Sequence, residues 1–186
     1  MKTGTILLVH GTSDQAKLIQ KFQKLVDKDA GYWNHSGIIV NINGHCYVVE
    51  MSQIPGRRLR AACVVTPLDH YAGYELKFLD PRFNFNEDIF FRQLASHIGK
   101  PYGYGKLIFN IPRSILYNKV TDPKDEKEDK FFGDKGDKAA RRPVCHMLTM
   151  LVWNQYTTNN PAWVVPLFED WYKADVSDIV NSEYFK

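Results

Sequence analysis

Cysteine is scarce in this chain: Cys46, Cys63 and Cys145 are all it has, an odd number with no C-x-x-C pair. That excludes the disulfide framework that staples small secreted domains, and it suits three free thiols in a reducing compartment. Excess charge is scarce as well. Lys and Arg number 24 against 21 Asp and Glu, and a net charge of +3 spread along the chain leaves no footprint for nucleic acid or an anionic membrane. Long apolar runs are also missing. The opening MKTGTILLVHG holds one lysine and a short run, ILLV, before His10-Gly11, far below the length of a signal-peptide core or a membrane span. The expected location is therefore cytoplasmic, without stable membrane insertion, although a phage or viral protein is released without any such signal.

What is present describes one folded domain. With 186 residues, 44% of them hydrophobic and 13% aromatic, the chain is long enough for one sizeable core and short for two, so residues 1 to 186 read as a single unit. Residues 5 to 9, TILLV, end at His10-Gly11 as a buried strand ends at a turn. SDQAKLIQKFQKLVDKD opens on a Ser-Asp cap and repeats Leu18, Ile19, Phe22, Leu25 and Val26 at helical spacing. Strand-like pieces between residues 63 and 79 alternate with Pro and Gly breaks, and NEDIFFRQLASHIG reads as a capped amphipathic helix closed by Gly99. KPYGYGKL follows as a glycine-interrupted aromatic loop. Residues 118 to 142, NKVTDPKDEKEDKFFGDKGDKAARR, are dense in both charges and poor in core formers, which predicts a mobile surface insertion at the lip of a cleft. No internal repeat is apparent.

One hairpin decides which polar side chains can meet. In WNHSGIIVNINGHCYVVEM two β-rich runs flank Asn43-Gly44, a two-residue turn signal. With that turn, Ile42 faces His45, Gly37 faces Glu50 and His35 faces Ser52. Alternation then puts His35, Gly37, Cys46, Val48, Glu50 and Ser52 on one face and turns His45 to the other. Glu50 is a diagonal neighbour of His35 with only the hydrogen of Gly37 between them. A carboxylate so placed can fix the imidazole tautomer and stabilise its protonated form.

Cys145 lies at the mouth of a second element, RRPVCHMLTMLVWNQY. Pro143 favours a helix start, and Leu148, Leu151 and Val152 recur at helical spacing below it. A thiol at a helix N-terminus meets unpaired N–H groups and the positive end of the macrodipole, which lower its pKa from about 8.5 toward neutrality. Position alone leaves two readings open, a small buried hydrophobe or a nucleophile.

Taken in order along nearly the whole chain, TILLVHG, WNHSGIIVNINGHCYVVEM, IGKPYGYGKL, VCHMLTMLVW and ADVSDIVNSEYF resemble the circularly permuted NlpC-type papain-like cysteine hydrolases, the YiiX-like group. In that family a first strand precedes an H-x-G-I strand bearing the base, a Glu ends the next strand, a G-x-x-Y-x-Y/G loop follows, and the nucleophilic Cys opens a late helix. The resemblance implies an α+β, papain-like fold, an antiparallel sheet or half-barrel packed against helices. It makes His35 the base, Glu50 its orienting partner, Tyr102 the active-site tyrosine and Cys145 the nucleophile. It also implies a cysteine peptidase or amidase that needs no cofactor, with a peptide or peptidoglycan fragment as substrate. His146 stands where the family usually has Ser or Thr, at a position that contacts substrate, and the insertion before Cys145 is longer than the family pattern.

Three rival readings compete. His45-Cys46 and Cys145-His146 offer metal ligands, but adjacent residues on a strand face opposite ways and no C-x-x-C or H-x-x-x-H spacing occurs, so no metal is expected. A non-catalytic module could bind a peptide or lipid in the same pocket. A lipid acyl hydrolase or acyltransferase could use the same thiol and imidazole, with Trp163, Val164, Val165, Leu167, Phe168 and Trp171 along an acyl groove, although core and rim is the preferred reading of those residues. Oligomeric state is not legible in the sequence.

Overall fold

The computed structural model describes residues 1–12, 16–17, 20–21, 32–54, 61–101, 145–158, 167 and 179–186, with the side chains of residues 146, 147 and 158 left aside. Among these residues lie the strands β1 (Ile6–His10), β2 (His35–Ile42), β3 (His45–Gln53), β4 (Ala61–Pro67) and β5 (Glu75–Leu79), a 3-10 helix (Leu68–Tyr71), and the helices α1 (Glu87–Ala95) and α2 (Cys145–Thr158). The class is α+β. The strands form one antiparallel sheet in the order β4-β3-β2-β1-β5.

The sheet is covered on both faces, which explains why its central strands are apolar runs rather than alternating ones. Ile6 and Leu8 of β1, Ile38 and Val40 of β2, and Val49 and Met51 of β3 belong to the larger core with α1 and α2. Leu7, Val9, Ile39 and Val48 point the other way and close over Tyr71 of the 3-10 helix. Asn43 (φ 52°) and Gly44 (φ 84°) both adopt the left-handed backbone of the primed hairpin turn, and Asn41 Oδ1 accepts from the Gly44 N–H at 3.0 Å. Gly37 pairs with Glu50 and Ile42 with His45, so the register is the one the turn dictates.

Helix α2 is apolar almost all round. Leu148, Met150, Leu151, Val152, Trp153 and Tyr156 are buried, and so are Thr149, Asn154 and Thr157. The buried stripe expected from Leu148, Leu151 and Val152 is thus only part of its contact surface, because the helix packs on β2 and β3 and also against α1. Thr157 satisfies its hydroxyl by donating to the carbonyls of Trp153 and Asn154 at 3.2 and 3.0 Å, and Ser36 Oγ shares a 3.3 Å hydrogen bond with Thr149 Oγ1.

Helix α1 begins where the sequence places its cap, with Asn86 Oδ1 accepting from the Ile89 N–H at 3.1 Å, and Phe90 and Leu94 pack inward. Gly99 (φ 84°) follows its last turn. The C-terminal segment closes the core: Ile179 and Phe185 are buried, and the backbones of Asp80 and Lys186 exchange hydrogen bonds at 2.7 and 3.0 Å. Of the helix expected around residues 13 to 29, Ala16, Lys17, Gln20 and Lys21 are described and are helical. The insertion expected at 118 to 142 lies outside the described residues.

Candidate active site

His35 opens β2 and Cys145 opens α2. The Ser36–Thr149 contact, one residue along β2 and one helical turn along α2, holds these two beginnings at the same end of the sheet. His35 donates from Nε2 to Glu50 Oε2. Glu50 is 1% exposed and His35 22% by side chain, so the carboxylate is sealed while the imidazole keeps one edge open. Gly37 makes this diagonal contact possible: a Cβ there would collide with Val48 Cγ1 and come within 3.2 Å of Glu50 Cβ.

Cys145, 6% exposed, is the second hydrogen-bond partner of His35. With Nε2 engaged by Glu50, Nδ1 is the ring nitrogen left to face the thiol. Burial alone would lower the His35 pKa, but the hydrogen bonds and charges of Cys145 and Glu50 outweigh it and raise the value from 6.5 to about 10. Burial alone would likewise push the Glu50 carboxyl up; His35 reverses this, with Thr66 and Tyr71 adding hydrogen bonds, and holds it below its ordinary range. Both directions describe a buried carboxylate facing an imidazolium at neutral pH.

The sequence motifs did not single out Tyr71 or Thr66. The Tyr71 hydroxyl donates to Glu50 Oε2, the same oxygen that receives the His35 proton, and Thr66 bonds the same carboxylate from β4. Neither has a local signal, since Tyr71 reaches Glu50 through the fold of a 3-10 turn 21 residues further along.

His45 is exposed beside the hairpin turn, and Cys46 is half-buried against the second cluster. Cys63 is buried in the main core, where burial pushes its thiol up to about 12. Tyr102 and the His146 side chain lie outside the described residues, as do Trp163, Val164, Val165, Phe168 and Trp171; Leu167 is a core residue. No three His, Cys, Asp or Glu side chains among the described residues converge as metal donors. No described helix is long and apolar enough to cross a membrane.

The sheet, its two helices and this buried polar chain define an α+β protein whose fold has a solved counterpart. It is similar over its full length to the crystal structure of the metalloprotein YiiX from Escherichia coli O157:H7 (DUF1105), covering 94% of that chain with a TM-score of 0.50 and 15% sequence identity. At that identity the likeness is one of fold. No protein-family model and no curated protein sequence matches the chain.

Proposed function

We propose that this protein is a thiol hydrolase of the permuted papain-like, NlpC type, cleaving an amide bond through Cys145, His35 and Glu50. The observation that carries the reading is the continuous chain from a helix-initial thiol through an imidazole to a carboxylate that is 1% exposed. A structural ion pair has no need of a thiol on the far side of its histidine. A nucleophile needs that arrangement.

His35 takes the Cys145 proton, leaving a thiolate beside an imidazolium whose charge Glu50 balances. The thiolate attacks the substrate carbonyl carbon, and the oxyanion meets the Cys145 backbone N–H at the positive end of α2, with the Tyr102 hydroxyl the second donor that the family resemblance implies. As the tetrahedral intermediate collapses, His35 gives its proton to the leaving amine and the acyl group stays on Sγ. His35 then deprotonates water, which attacks the thioester and releases the acid.

Among the described residues no three-donor cluster forms, and His35 and Glu50 are bound to each other. The steps above use Cys145, His35 and Glu50 alone; the structural neighbour is described as a metalloprotein.

Turnover on a panel of muropeptides, peptide amides, acyl thioesters and phospholipids tests the reading. Release of an amine by the wild type and not by Cys145→Ala supports it. Turnover confined to acyl thioesters or phospholipids makes the protein a lipid acyl hydrolase or acyltransferase on the same three residues. Alkylation of Cys145 by iodoacetamide at the rate of an ordinary thiol, with no turnover, makes the pocket a binding module.

A further inference from the structure

Tyr71 belongs to the sheet face opposite the helices, where its ring completes the small core with Leu7, Val9, Ile39 and Val48. Packing accounts for the ring and leaves the hydroxyl unexplained. That hydroxyl is aimed at Glu50 Oε2, while the ring lies 6.4 Å from the His35 ring with only 22° between their planes. One side chain thus touches the carboxylate and stacks beside the imidazole that the carboxylate holds. The rings of His70 and Tyr74 pack edge-to-face with the Tyr71 ring, at centroid separations of 5.5 and 5.8 Å.

We propose that Tyr71 is a positioning residue of the thiol site, its hydroxyl orienting the Glu50 carboxylate and its ring the His35 imidazole. The proposal rests on the reading of Cys145 as a nucleophile.

A carboxylate can only accept, so the phenol donates and remains protonated; burial and the neighbouring Glu50 charge both raise its pKa. Glu50 is faced by His35 from β2, by Thr66 from β4 and by Tyr71 from the 3-10 helix, and its charge also helps raise the Cys63 thiol on the other face of the sheet. Cys145 acts on His35 and Tyr71, Tyr74 acts on Tyr71, and Lys100 acts on Cys63. Removing the Tyr71 proton donor leaves a buried carboxylate with fewer donors. It therefore takes up a proton at higher pH, and once protonated it no longer balances the His35 imidazolium that the thiolate needs beside it. Thiolate formation then moves upward in pH.

The test is the pH dependence of iodoacetamide alkylation at Cys145, mapped by mass spectrometry, in wild type, Tyr71→Phe, Glu50→Gln and the double variant. Tyr71→Phe should raise the acid limb by about one pH unit, since a hydrogen bond to a charged group biases ionisation by about tenfold. In the Glu50→Gln background the same change should have no further effect. Site-specific replacement of Tyr71 by 3-fluorotyrosine, which keeps the packing and strengthens the donor, should move the limb down. A limb that stays put in both Tyr71 variants, or an equal shift with and without Glu50, overturns the proposal while leaving the thiol reading intact. An ordinary thiol profile in the wild type overturns both.

Discussion

Gly37 of β2 pairs directly with Glu50 of β3, and the space a side chain would need there is already taken by Val48 and by Glu50 itself. The glycine is a clearance, not a turn. Gly37→Ala should force Val48 or Glu50 to shift, costing about 1–3 kcal/mol as other overpacked positions do. Denaturant melts measure the loss, and Cys145 alkylation at neutral pH should slow with it because Glu50 no longer meets His35. Unchanged stability would mean that the strands can part locally at no cost.

The hairpin register separates two histidines that are close in sequence terms but not in role. Cys145→Ala and His35→Ala should each abolish turnover. Glu50→Gln should lower it by about ten- to a hundredfold, since the amide accepts a hydrogen bond without balancing the imidazolium charge. His45→Ala, at an exposed position beside the turn, should be close to neutral in both rate and melting temperature. Adding Glu50→Gln to either inactive variant should change little, as members of one catalytic unit are not additive. Damage from His45→Ala equal to that from His35→Ala would contradict the proposed relay.

How much of this could be read beforehand depended on the range of each contact. Asn43-Gly44 forces φ > 0 at two adjacent residues, so the pairing of Gly37 with Glu50 and the face shared by His35 and Glu50 followed from counting. Asn86 as a helix cap was equally local. The approach of Cys145 to His35, 110 positions apart, was not in any periodicity; the motif order pointed to it, and packing of α2 on β2 brings it about. Tyr71 and Thr66 were invisible because nothing around them says which residue a buried hydroxyl will meet.

The two helices are joined by a polar clamp whose loss should be purely structural. Gln155 Oε1 on α2 accepts from Gln93 Nε2 at 3.1 Å and from His97 Nε2 at 2.8 Å, and Lys100 donates to His97 Nδ1 at 3.0 Å. His97 is fully buried, and burial first, with Lys100 adding to it, keeps its pKa below 6.5 despite Gln155. Gln155→Leu would strand the His97 N–H and should cost about 1–3 kcal/mol. Cys145 should react with iodoacetamide at the wild-type rate in that variant. A changed alkylation profile would show instead that the clamp is coupled to the thiol.

The Glu50–His35 pair should leave its own mark on stability as a function of pH. His35 is raised from 6.5 to about 10, so the folded protein holds that proton more tightly than the unfolded chain does; the resulting stabilisation is complete below pH 6.5 and is lost as pH rises toward 10. Glu50 is lowered from 4.5, so its share is complete above that pH and is lost as pH falls through the depressed value. The difference in melting temperature between wild type and a Glu50→Gln, His35→Gln double variant should therefore be largest between pH 4.5 and 6.5 and shrink on both sides. Cys145 raises His35 more strongly than Glu50 does. Repeating the comparison in a Cys145→Ala background should draw the upper edge of that window down while leaving the lower edge, set by Glu50, in place. If the upper edge does not move, the thiol does not share a proton with His35, and the imidazole belongs to the carboxylate alone.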